Sequence, residues 1–102
     1  MIRAFGILTC AVALGAAPVP SVTVHMHNMA FDPRSTTVQT GQTVIFQNDD
    51  NVSHNVTSSD MGTSGDIGPG KTFKYTFDKA GDYHYVCTYH QGMTGEIIVA
   101  DK

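Results

Sequence analysis

Three side chains with soft metal-binding atoms lie close together near the end of the sequence. Cys87, His90 and Met93 place a thiolate, an imidazole and a thioether at every third position, just after a strand-like segment. Sulfur and imidazole ligands together suit copper that cycles between Cu(I) and Cu(II), whereas structural zinc sites rarely use methionine. Such a copper site needs one more imidazole, and His54, beside a polar segment upstream, is the candidate. We therefore predict a copper site formed by His54, Cys87, His90 and Met93.

Each of these residues also has a simpler interpretation. Cys87 could pack as a small apolar side chain, His90 could lie in a turn, and Met93 could fill the core. A cysteine and a histidine at this spacing are a weak signal by themselves. The combination of one thiol, a histidine three residues later, a methionine three further on and a second histidine beside an upstream loop favours copper over these alternatives.

The first 17 residues have the pattern of a secretory signal rather than of a folded element. A short basic start at Met1–Arg3 precedes an apolar run over residues 4–14, and small residues follow. That run is shorter than the roughly 20 residues needed to span a bilayer. We predict a signal peptide at residues 1–17, with an approximate cleavage site, and a periplasmic or secreted mature chain without a membrane span.

Export has a consequence for the cysteines. The sequence contains two, and Cys10 leaves with the predicted signal, so Cys87 would be the only thiol of the mature chain. An unpaired cysteine in an oxidising compartment is expected to be buried, reactive or bound to a metal. This agrees with the proposed role of Cys87.

The rest of the chain has the period of β-strands. Val22, Val24 and Met26 alternate with polar residues, as do Phe73, Tyr75 and Phe77. Residues 58–70 are rich in Gly, Ser and Asp without any period, which predicts a long surface loop. Short strands with turns every eight to twelve residues indicate an antiparallel β-sandwich. We predict one domain over residues 18–102.

Size and charge exclude other classes of protein. A chain of 102 residues can build one core but not two domains. The net charge is −3 and no cluster of Lys and Arg occurs, so nucleic acid is not an expected partner. A nucleophilic Cys87–His90 pair would need an orienting third group and an oxyanion hole, which the sequence does not offer, and we predict no enzymatic activity.

A resemblance to a known family strengthens the copper prediction. Residues Phe73 to Val99 read F-x-Y-x-F-x-x-x-G-x-Y-x-Y-x-C-x-x-H-x-x-M-x-G-x-I-x-V. Together with His54-Asn55-Val56 and the segment over residues 29–33, this resembles the cupredoxins, the small type 1 blue copper proteins. The gap of two residues between His90 and Met93 resembles amicyanin more than plastocyanin. The resemblance implies a Greek-key β-sandwich of about seven to eight strands.

The resemblance also implies roles for individual residues. His54, Cys87 and His90 match the equatorial ligands of the family, and Met93 matches the long axial one. Asn55 matches an asparagine that ties the two ligand loops together, and Tyr83 stands where the family has a tyrosine corner. Amicyanin-like ligand loops carry prolines on both sides of the second histidine, and this chain departs from that pattern with Tyr89 and Gln91.

We therefore predict a monomeric single-electron carrier with one type 1 copper ion. Redox proteins would dock transiently near His90, the ligand expected to be most exposed. The alternative is a periplasmic copper carrier or buffer that also uses His25, His27 and the methionines. His25 and His27 share one face of a strand, but two histidines supply only two ligands, and such a pair is more often simply solvent-facing.

Overall fold

The computed structural model describes residues 19–101, which form β-strands and no helix. The predicted signal peptide at residues 1–17 lies outside the described residues. Within residues 19–101, no helix is long and apolar enough to cross a membrane. The strands are β1 (Val22–His27), β2 (Ala30–Asp32), β3 (Ser35–Gln39), β4 (Gln42–Asn48), β5 (Thr57–Ser58), β6 (Gly62–Thr63), β7 (Thr72–Phe77), β8 (Gly81–Val86) and β9 (Thr94–Ala100).

The strands form two sheets that pack face to face. One sheet has the order β3-β9-β8-β5-β6 and the other the order β2-β1-β4-β7. Alternation along each strand turns every second side chain inward, as the fully buried Val24 and Met26 of β1 show. The prediction of an all-β sandwich is confirmed. Its core consists of Val24, Met26, Phe31, Val38, Val44, Phe46, Val56, Ile67, Phe77, Tyr85, Cys87, Met93, Ile97 and Val99.

The sheets are mixed, so the prediction of a wholly antiparallel sandwich was wrong in this detail. Strand β1 pairs with β4 in parallel, and β3 pairs with β9 in parallel. Between β1 and β4 the chain first forms β2 beside β1, then crosses to the other sheet to form β3 and returns. Side-chain periodicity does not reveal the direction of pairing between strands that are separated in this way.

The segment predicted as a long surface loop is partly structured. Residues Gly62–Thr63 pair with Thr57–Ser58 in a short hairpin. Ile67 is buried in the core and forms an isolated bridge with His54. Strands of two residues and a single inward side chain are too short to produce a period in the sequence. These two short strands also bring the total in the described residues to nine, above the predicted seven to eight.

The turn between β7 and β8 confirms the tyrosine corner. The Tyr83 hydroxyl donates a hydrogen bond to the carbonyl of Lys79, at 2.7 Å. The Tyr83 ring packs against Phe77 at a centroid distance of 4.9 Å. This corner connects the start of β8 to the preceding turn, and β8 leads directly into the segment that carries Cys87.

We expect Gly95→Ala to destabilise the sandwich. A Cβ atom at Gly95 would lie 2.5 Å from two carbons of the buried Tyr85 ring, and that ring is held between Phe31 and Phe46. Overpacking of this kind typically lowers the free energy of unfolding by about 1–3 kcal/mol, measurable by urea denaturation.

Gly68→Ala is the matched control for this substitution. Its Cβ would meet only the side chain of Lys71, at 3.8 Å, and surface changes away from special features typically alter stability by no more than about 0.5 kcal/mol. Equal unfolding midpoints for the two variants would show that the contact between Gly95 and Tyr85 is not tight.

Candidate metal centre

One short loop carries three of the four predicted ligands. Strand β8 ends at Val86 and β9 begins at Thr94, and these two residues are paired. The loop between them is closed by two backbone hydrogen bonds, from Cys87 N–H to the Met93 carbonyl at 2.9 Å and from Met93 N–H to the His90 carbonyl at 3.1 Å. Pairing of the flanking strands therefore holds Cys87, His90 and Met93 close together.

His54 reaches the same place from a different part of the chain. Its N–H donates to the carbonyl of Ile67 at 3.1 Å, and the N–H of Ile67 donates to the carbonyl of His54 at 2.8 Å. The His54 side chain is fully buried. This two-way bridge fixes the backbone of His54 beneath the loop that carries the other three residues.

The structure brings the chemically active atoms of three predicted ligands together. A ring nitrogen of His54, the sulfur of Cys87 and a ring nitrogen of His90 all lie within 4.8 Å of one another. The Cys87 sulfur is 3.8 Å from Nδ1 of His54, and the two imidazole rings meet edge to face at 4.9 Å. Cys87 and Met93 are buried, whereas His90 is partly exposed. His90 is thus the most accessible member, as predicted.

Asn55 joins the two segments that carry the predicted ligands. Its side-chain amide donates to the Thr88 hydroxyl at 2.8 Å, and its side-chain carbonyl accepts from the Thr88 N–H at 3.2 Å. Its own backbone N–H points to the Cys87 sulfur at 3.4 Å. The role predicted for Asn55 is confirmed.

Asp50 contacts the site and was missed in the sequence. Its Oδ2 accepts a hydrogen bond from Nε2 of His54 at 2.8 Å. Burial raises the pKa of the Asp50 carboxyl, but hydrogen bonds from Met29 N–H, His54 and Asn28 N–H outweigh this effect, so its pKa lies below the ordinary value. A carboxylate four residues before a candidate histidine ligand is the signal that could have revealed it.

Tyr89 connects the ligand loop to the segment that bridges His54. Its hydroxyl donates a hydrogen bond to the Asp66 carboxylate, next to Ile67. This hydrogen bond raises the pKa of Tyr89. The Tyr89 side chain is 52% exposed. Tyr89, which stands where amicyanin-like ligand loops have a proline, therefore restrains the loop through its side-chain hydrogen bond.

The second pair of histidines lies apart from this cluster. Nδ1 of the exposed His25 is 2.7 Å from a carboxylate oxygen of Asp49, and His27 is also exposed. Hydrogen bonds from Gln47 and His25 lower the pKa of Asp49. Over residues 19–101, the one group of three or more His, Cys, Asp or Glu side chains close enough to share an ion is His54, Cys87 and His90. Within that range, His25, His27 and Asp49 do not form such a group.

The donor set fits copper. One thiolate and two imidazoles, with the thioether of Met93 on the same loop, form the combination that blue-copper centres use. Nε2 of His90 is buried, and the described part of the chain offers it no hydrogen-bond partner. Buried polar atoms rarely lack partners. A metal ion is one partner that such a ring nitrogen can take, either directly or after rotation of the imidazole.

Comparison with known proteins identifies the family. The family description "Cupredoxin-like domain" matches residues 1–99. The chain belongs to the cupredoxin-like family. This agrees with the resemblance found in the sequence and with the two-sheet sandwich. The matched range includes all the described strands up to Val99 and all four candidate ligands.

Two relatives and one solved structure show where this cupredoxin stands in the family. It is 32% identical over 103 residues to amicyanin-alpha of Methylorubrum extorquens, covering 89% of this chain and 87% of the relative. It is 31% identical over 85 residues to chloroplastic plastocyanin of Tetradesmus obliquus, covering 70% of this chain and 59% of that protein. The structure of the Cu(I) form of an amicyanin variant superposes with a TM-score of 0.74 at 25% identity, covering 84% of this chain and 88% of that one.

Proposed function

We infer that this cupredoxin carries single electrons at one type 1 copper site, with His54, Cys87, His90 and Met93 as its ligands. The observation that carries this proposal is the cluster of His54, Cys87 and His90, whose ligand atoms lie within 4.8 Å of one another. The copper-bound state of the amicyanin structure described above supports the choice of metal. Copper, when bound, would supply exchange of one electron between Cu(I) and Cu(II).

The chain's own contribution is a restrained and largely buried site. The backbone bridge at His54, the hydrogen bonds of Asn55 and the closed loop from Cys87 to Met93 restrain the segments that carry the donor atoms. A site that keeps its shape when the charge of the metal changes needs little reorganisation, which favours fast electron exchange. Orientation, burial and electrostatics are what a protein provides around a redox cofactor.

His90 is the proposed route for the electron. It is the one partly exposed member of the four proposed ligands. Tyr89, whose ring lies beside that of His90, is a large exposed side chain. A redox protein that docks over these residues would form a small transient contact of the kind that electron-transfer complexes use. A monomer suffices for this role and remains our prediction.

Export completes the proposal. Residues 1–17 have the pattern of a secretory signal, which would leave a single copper domain over residues 18–102 in the periplasm or outside the cell. Mass spectrometry of the protein isolated from the exported fraction checks this, because the mature amino terminus should fall near residue 18. An intact Met1 in that fraction would contradict removal of the signal.

Voltammetry combined with a copper-retention assay distinguishes the electron carrier from a copper carrier or buffer. The electron carrier should show a reversible one-electron wave and should retain one copper ion per chain through repeated reduction and reoxidation. A copper carrier would bind more than one ion or release it to a competing chelator on reduction. That second result would favour a function that also uses His25 and His27.

A further inference from the structure

The Asp50 carboxylate is the polar partner of a ring that is otherwise enclosed. The His54 side chain is fully buried, and its Nε2 lies 2.8 Å from Oδ2 of Asp50. An ionised carboxylate only accepts hydrogen bonds, so Nε2 carries the proton and donates it. In the tautomer that places the ring proton on Nε2, Nδ1 carries none, and Nδ1 is the nitrogen that lies 3.8 Å from the Cys87 sulfur.

Asp50 is itself fixed by a distant turn. Its Oδ1 accepts from the N–H of Asn28 at 2.8 Å, and its Oδ2 accepts from the N–H of Met29 at 3.0 Å. Both turn residues have left-handed backbones, with φ of 56° and 58°, and this aims two successive N–H groups at one carboxylate. Asparagine tolerates that conformation, whereas methionine adopts it rarely. The β1–β2 turn, more than 20 residues away in sequence, therefore helps to position the carboxylate against His54.

We propose that Asp50 is a positioning residue, which holds the His54 ring with Nδ1 towards Cys87 and keeps a negative charge beside the centre. Carboxylates that accept from the second ring nitrogen of a ligating histidine fix its tautomer and make it a stronger donor. The negative charge favours the more positive, oxidised state of the metal and so lowers the reduction potential. The expected effect on the reduction potential rests on the proposed copper site, whereas the expected tautomer of His54 does not.

Asp49 provides the matched control. It adjoins Asp50 and carries the same charge, but its carboxylate contacts His25 and Gln47 at the surface. The Asn substitutions at positions 49 and 50 remove one negative charge each at neighbouring places in the chain. The Ala substitutions also remove the hydrogen-bond acceptor. A difference between the two positions therefore reports the contact with His54 rather than net charge.

The first experiment is nitrogen-15 NMR of the imidazoles in the metal-free wild-type protein. If Asp50 positions the ring, His54 should have a single tautomer with the proton on Nε2. This tautomer should be lost, or mixed with the other one, in Asp50→Ala but retained in Asp49→Ala. A proton on Nδ1 of His54 in the wild type would overturn the proposal without any variant. This readout remains decisive for Asp50 even if the protein binds no copper, so the two proposals can fail separately.

The second experiment measures Cu(II) affinity and reduction potential. Asp50→Ala should bind Cu(II) about 10–100-fold more weakly, the usual loss when such a partner is removed, while Asp49→Ala should stay close to wild type. Asp50→Asn should raise the reduction potential more than Asp49→Asn does. Equal shifts of the reduction potential in the two Asn variants would overturn the electrostatic role of Asp50. This role can still be tested with Asp50→Asn if Asp50→Ala does not fold.

Discussion

Cys87→Ser is expected to abolish the intense visible absorption of the copper-loaded protein. That absorption would arise from charge transfer between a thiolate and Cu(II), and serine offers no thiolate. Cys87 is the one cysteine in residues 19–101, and its sulfur lies between His54 and the backbone N–H of Asn55. Copper affinity should fall as well, because a soft ligand is replaced by a hard hydroxyl that is protonated at neutral pH.

His84→Ala serves as the control for this variant. His84 lies in β8, the strand that leads to Cys87, but its side chain is exposed and its Nε2 lies 3.8 Å from a carboxylate oxygen of Glu96. This variant should keep the full absorption at one copper per chain. Persistence of the same absorption in Cys87→Ser would contradict a copper–thiolate centre at this cysteine.

Asn55→Ala is expected to weaken both the fold and the metal centre. The substitution removes the two hydrogen bonds to Thr88 and a third that the Thr57 hydroxyl donates. Loss of one partner from a buried polar pair typically costs about 1–3 kcal/mol, so the free energy of unfolding of the metal-free protein should fall by about that amount. Because the two ligand-bearing segments are no longer tied, Cu(II) binding should weaken too.

Asn51→Ala is the matched substitution, since Asn51 is an exposed asparagine in the same connection between β4 and β5. Its unfolding midpoint in urea and its Cu(II) affinity should remain near those of the wild type. If Asn55→Ala behaves like Asn51→Ala in both measurements, the hydrogen bonds between the two segments do not organise the site.

The part of the site that lies on one loop could be predicted from the sequence because local spacing determines it. Cys87, His90 and Met93 follow each other at every third position. The alternating pattern of the segments on either side indicates that they are strands, so the loop between them lies at one end of a sandwich. His54 was found by its chemistry, since a copper site with these ligands lacks one imidazole. Asn55 and Tyr83 were found by resemblance, and their contacts confirm both roles.

The features that were missed depend on contacts between distant segments. Asp50 looks like an ordinary loop aspartate until the turn at Asn28 and Met29 is placed against it. Ile67 is a single apolar residue in a polar loop, and its burial follows from the bridge to His54. The parallel pairing of β1 with β4 joins strands that are separated in the chain by β2 and β3. None of these produces a period in the sequence, and the one local signal for Asp50 is its position four residues before His54.

The most direct test of the central claim is EPR spectroscopy of the metal-free wild-type protein during titration with Cu(II). A single site formed by His54, Cys87, His90 and Met93 should saturate at one copper per chain, with the narrow hyperfine splitting of a strongly covalent copper–thiolate bond and an intense blue colour. A colourless species with wide hyperfine splitting, typical of tetragonal copper bound by nitrogen and oxygen, would contradict the account and would direct attention to His25 and His27.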